Sequence, residues 1–217
     1  MMERVVKFVL GIASPFLFFG YLSALVSLLR SFTLENPICL MFALGGGIAF
    51  VMWSLFLKRK DFYATFSHEF THLLFGLLTF HSPRALVVTD GAGGLVVIGG
   101  NFLVLLAPYF FPIISYFVLP ILLLVKPQFY PGMAGIIGFT LVYHFLVQLK
   151  DFRFYQSDIK KAGILFSLVF VPFAMVLSYG FVVAVVFYGF SKGGWFLKEG
   201  ILICLHFFTS LIQGGVR

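Results

Sequence analysis

Long apolar runs recur along this chain, at about residues 8–29, 37–57, 62–80, 99–125, 132–149 and 162–190. They fix its fold class before any motif does. A run of about 20 apolar residues spans a bilayer as a helix. In lipid the backbone has no water to bond, so only helices and closed barrels cross it. These runs lack the alternation of strands, which leaves helices. Composition agrees: 61% hydrophobic residues, 11% charged and a mean hydropathy of +1.06 lie far outside the soluble globular range. The expectation is a single integral membrane domain over residues 1–217, all-α and polytopic, with about six transmembrane helices. The first run is too long for the apolar region of a cleavable signal peptide and lacks a clear small-residue cleavage site, so it is expected to be a span.

A net charge of +7 and a pI near 9.5 would suit a nucleic-acid binder, but the basic residues fall in short clusters between the runs. Lys58-Arg59-Lys60 forms one cluster, and Lys150, Arg153, Lys160 and Lys161 form another. That placement marks cytoplasmic loops against anionic headgroups, so the expected partner is the lipid bilayer and not nucleic acid. Cys39 and Cys204 stand singly inside apolar runs, which indicates neither a disulfide framework nor a cysteine metal site. Gly45-Gly46-Gly47 permits another helix to come close.

One stretch breaks the apolar pattern in a way that carries chemistry: His68-Glu69-Phe70-Thr71-His72, within the run 62–80. Ionisable residues at bilayer depth are costly and are functional candidates by default. On a helix, positions i and i+4 share a face with Cβ atoms about 5–6 Å apart, so His68 and His72 can reach one Zn²⁺. Glu69 sits roughly 100° round the helix and can serve as general base beside a metal-activated water. The run enters the membrane from the Lys58-Arg59-Lys60 loop, reaching His68 after roughly 12 Å of helix. The site is therefore expected in the cytoplasmic half of the bilayer.

A catalytic zinc takes three protein ligands and leaves a position for water. The third ligand of a metzincin is absent, because positions 75 and 78 hold Phe75 and Leu78. Glu199 lacks a supporting pattern. Asp158 and Asp151 are the candidates, since the basic cluster around them faces the same leaflet as the histidines. Asp158 stands just ahead of an apolar run, where a helix N-terminus can hold a carboxylate. His144 and Asp151 share a helix face and form either an outer pair or a competing ligand set.

Residues 81–97 alternate β-branched runs with Gly91, Gly93 and Gly94, the pattern of a small membrane-associated β-hairpin. An unpaired strand edge there accepts an extended peptide by β-addition. Between 99 and 125, Pro108, Pro112 and Pro120 allow either one kinked span or two short segments.

The His-Glu-x-x-His span, the Gly-rich segment before Gly99-Gly100-Asn101, Leu106-Ala107-Pro108-Tyr109, and Asp151 with Ser157-Asp158 together resemble the bacterial branch of the site-2-protease family, over roughly residues 62–190. The resemblance implies an intramembrane zinc metalloendopeptidase of a bacterial inner membrane, acting on a membrane-protein substrate. By position it implies His68, His72 and Asp158 as ligands with Asp151 as the alternative, and Glu69 as base. It further implies Asn101, Gly93 and Gly94 at the substrate. The Leu-Asp-Gly in which better known members place the aspartate is absent here. The alternative reading is a non-catalytic membrane protein: a metal or proton transporter, or a degenerate-protease scaffold. The sequence says nothing of oligomeric state.

Overall fold

The computed structural model describes residues 2–30, 32–55, 62–81, 83–89, 92–97 and 100–214. Helices α1 (Met2–Leu29), α2 (Pro37–Leu55) and α3 (Phe62–Leu78) come first. Two paired strands follow, β1 (Pro83–Thr89) and β2 (Ala92–Val97). They run antiparallel with Leu86 opposite Leu95, and Gly91, expected at the turn, lies outside the described residues. Then come α4 (Phe102–Phe110), α5 (Ile113–Val118), α6 (Tyr130–Asp151), α7 (Ser157–Ala162), α8 (Ile164–Tyr188) and α9 (Phe190–Gly214), with two 3₁₀ turns between α5 and α6.

Four stretches among the described residues are long and apolar enough to cross a membrane: α1, α2, residues 127–151 and α8. The broken pair α4 and α5 adds a fifth if it is one span. α3 has 17 residues, short of the roughly 20 that a span needs, and residues 56–61, with the Lys58-Arg59-Lys60 loop, lie outside the described residues. α9 carries Lys192, Lys198 and Glu199 and is not among these spans. The helices turn large apolar side chains outward, with Leu165 81%, Phe8 69% and Leu55 67% exposed. Such a surface is compatible with lipid as its solvent.

Glycines bring α2 and α6 into close contact. A Cβ at Gly45 would collide with the backbone of Gly135, and one at Gly138 with the carbonyl of Phe42. Gly47 faces open space, so the triple-glycine run serves this contact through Gly45 and Gly46. α8 passes through Pro172 as one continuous helix.

The main core joins α1, α4, α7, α8 and α9. Tyr21, Ala24, Leu106, Ile159, Phe170 and Phe196 lie within it, all at most 5% exposed. Short α4 and α7 are therefore anchored by the long helices. Gly163, at φ +100°, separates α7 from α8, and its N–H caps α7 on the carbonyls of Ile159 and Lys160.

Between the prolines the chain bends by 82°, with Phe102–Phe110 on one side of the break and Ile113–Leu123 on the other. Each proline also frees a carbonyl. A helical carbonyl bonds the N–H four residues on, and proline has none. Pro108 thus leaves the Val104 carbonyl without a helical partner, and Pro112 leaves that of Pro108. Both find histidines on other helices. His72 Nδ1 donates to Val104 O at 2.7 Å, and His144 Nε2 donates to Pro108 O at 3.1 Å. The Ser178 hydroxyl from α8 satisfies the carbonyl of Phe110.

Candidate metal centre

α3 presents His68 and His72 one turn apart on one face, with ring centroids 4.8 Å apart. α7 brings Asp158 to them. Its Oδ2 lies 3.7 Å from His68 Nε2 and 3.5 Å from His72 Nε2. One donor atom from each of the three residues falls within 4.8 Å of the others, the arrangement that can hold a single metal ion. Asp151 does not belong to this group.

Local structure fixes two of the three donors. Val104 O takes the Nδ1 proton of His72, which leaves Nε2, the nitrogen that faces Asp158, as the one that can ligate a metal once it gives up its proton. Val104 is itself positioned by the start of α4. Asn101, the N-cap, accepts from Val104 N–H through Oδ1 at 3.1 Å, and Glu3 Oε1 accepts from Phe102 N–H at 3.2 Å. Asp158 stands in the first turn of α7, where Ser157 Oγ donates to its Oδ1 at 3.3 Å. Buried Ile159 and Ala162 pin that turn in the core.

Burial alone would raise the Asp158 carboxyl, but hydrogen bonds and charge from His68 and His72 outweigh it and hold the group well below the usual carboxylate range. The site thus offers an ionised carboxylate between two imidazole nitrogens. A tetrahedral zinc with bonds of about 2.0–2.1 Å spaces its donors roughly 3.3 Å apart, close to the two separations seen here. Two imidazoles and one carboxylate are also a donor set that zinc accepts. The residues fit the ion.

Glu69 is half-buried and near enough to act electrostatically on His72 and on Tyr109. A cavity of about 320 Å³ opens beside the cluster, lined by His72, Asp158, Val104, Leu105, Glu3 and Lys161 among others. Gly93 and Gly94 lie on β2 opposite Val88 and Val87. Asn101, expected at the substrate, has its side-chain oxygen engaged as the cap of α4.

His144 corrects one expectation. Its Nδ1 accepts from the Tyr179 hydroxyl and its Nε2 donates to Pro108 O, so both ring nitrogens are taken by the protein. It braces the break between α4 and α5 and does not pair with Asp151. Sequence reading missed Glu3 and the Val104 carbonyl. Glu3 stands 99 positions from its partner and carries no local signal. Val104 had one: a proline four residues on frees a carbonyl.

The chain matches no family model, no curated protein and no solved structure.

Proposed function

We propose that the protein is an intramembrane zinc endopeptidase that cuts membrane-spanning or membrane-proximal chains in a bacterial inner membrane. The observation that carries this reading is the meeting of His68 and His72 from α3 with Asp158 from α7, one donor atom from each lying within 4.8 Å of the others. The reading takes α3 and α9 as further spans, about six in all, with β1 and β2 at the membrane beside α3. Lys150, Arg153, Lys160 and Lys161 flank Asp158 in the sequence and put the site in the cytoplasmic half.

Zinc bound there supplies a Lewis acid and lowers the pKa of a coordinated water towards about 7. His68, His72 and Asp158 hold it, and Val104 keeps His72 in the required tautomer. Glu69 takes the proton of the attacking water and returns it to the leaving amine. A helical peptide bond is shielded by its own backbone, so the substrate must unwind first. The backbone at Gly93 and Gly94, free of side chains, suits pairing with the unwound segment.

In the test, the full chain in nanodiscs is given a single-span substrate. Glu69→Gln retains zinc and cleaves about 10²–10⁴-fold more slowly, the usual loss when a general base is removed. Cleavage at the wild-type rate would sink the mechanism, and metal uptake into vesicles without proteolysis would favour a transporter.

A further inference from the structure

The cavity beside the cluster is lined by Glu3, Asp158 and Lys161, and the two carboxylates have their charge engaged within the protein. Asp158 Oδ2 lies between His68 and His72. Glu3 accepts through Oε1 from the Phe102 N–H at the N-terminus of α4, where the helix dipole also favours a negative charge. Lys161 has no ion-pair partner among the described residues. Its place follows from the sequence. Lys161 comes three positions after Asp158 on α7, and side chains at i and i+3 share a helix face with Cβ atoms about 5–6 Å apart. An unpaired cation and a proposed zinc ligand thus open on one cavity, together with His72 from α3. Charges attract more strongly between protein walls than in open water, so an anion that enters this space gains from the ammonium.

We infer that Lys161 sets substrate specificity, receiving in this cavity the carboxylate of an Asp or Glu side chain close to the scissile bond. The inference rests on the endopeptidase reading above. An extended chain advances about 3.3–3.6 Å per residue. With the scissile carbonyl at a metal held by Asp158, the substrate residue that meets a cation on the same face of α7 is therefore one or two positions from the cut. The ammonium has no lone pair with which to ligate the metal, and its three donors on a flexible stem suit a carboxylate that arrives with the substrate. Lys160, the neighbouring cation, is not among the residues that line the cavity.

The experiment uses the full chain, loaded with zinc, in nanodiscs of neutral and of anionic lipid. Three amidated single-span substrates carry Glu, Ala or Lys at the two positions on each side of the cut, which mass spectrometry locates. Cleavage gives kcat/KM, and the Glu69→Gln chain reports binding of the same three peptides. Wild type prefers the Glu substrate to the Lys substrate by about tenfold in kcat/KM, on the order of one charge-assisted contact. Lys161→Met removes the preference and Lys161→Glu reverses it, in binding as in cleavage, while zinc content stays at the wild-type level. Lys160→Glu is the control and keeps the wild-type order. An unchanged order in Lys161→Glu overturns the inference, as does an equal reversal in Lys160→Glu. A Lys161→Glu defect that strikes all three substrates alike, and only in anionic lipid, assigns the ammonium to lipid headgroups and also overturns it. In each of these cases wild type still cleaves and the endopeptidase reading stands. If zinc-loaded wild type cuts none of the three, that reading falls and takes the inference with it.

Discussion

Two buried histidines bond carbonyls that prolines have freed, and what distinguishes them is the second nitrogen. In His72 that nitrogen faces Asp158, while in His144 it accepts from the Tyr179 hydroxyl. The first is free to bind a metal and the second is not. His144→Ala leaves the Pro108 carbonyl and the Tyr179 hydroxyl without partners in an apolar interior, a loss of about 1–3 kcal/mol for such groups. Denaturant unfolding in micelles would register that loss, and zinc content would stay at the wild-type level. Loss of zinc from this variant would return His144 to the ligand set. The spacing of His68 and His72 was legible in the sequence because it is local, set by helix geometry alone. The tautomer of His72 was less so, since it depends on a carbonyl 32 residues away.

Among the elements, the six-residue α7 does most to assemble the candidate site, because it carries Asp158 and no other described helix brings a candidate ligand to α3. Its direction depends on Gly163. The φ of +100° is strained for any side chain, whereas a Cβ there would meet only ordinary contacts, Phe166 Cβ at 3.9 Å and Lys7 Nζ at 4.0 Å. Gly163→Ala thus pays about 1–3 kcal/mol in conformation and not in collision. Relief of that strain shifts α7 and weakens zinc binding. Gly189, at φ +83° beyond the far end of α8, is the matched control: Gly189→Ala carries similar strain and leaves zinc affinity intact. Equal zinc affinity in both variants would remove α7 orientation from the account. The break between α4 and α5 shows why elements were harder to read than spacing. Prolines at 108 and 112 marked where the chain could bend, but the bend needs donors for the freed carbonyls, and those come from α3 and α6.

For the molecule as a whole, apolar run length made the membrane class plain, because backbone satisfaction in lipid leaves so few solutions. The count of spans was less legible. α3 ends at 17 residues and α9 mixes charge into its first half, so run length alone does not rank either with the four stretches long and apolar enough to cross a membrane. The choice between Asp158 and Asp151 lay further still from local pattern: both sit in one basic loop region, and tertiary structure separates them, with Asp151 at the end of α6 and Asp158 on α7 beneath the histidines. The central claim is that one ion joins α3 to α7 through these residues. Zinc content of the purified full chain tests it most directly. Wild type and Asp151→Ala should each hold one zinc per chain, and His72→Ala and Asp158→Ala should each hold less than about a tenth of that, the loss expected when a ligand is removed. Full zinc in Asp158→Ala, or its loss from Asp151→Ala, would contradict the account.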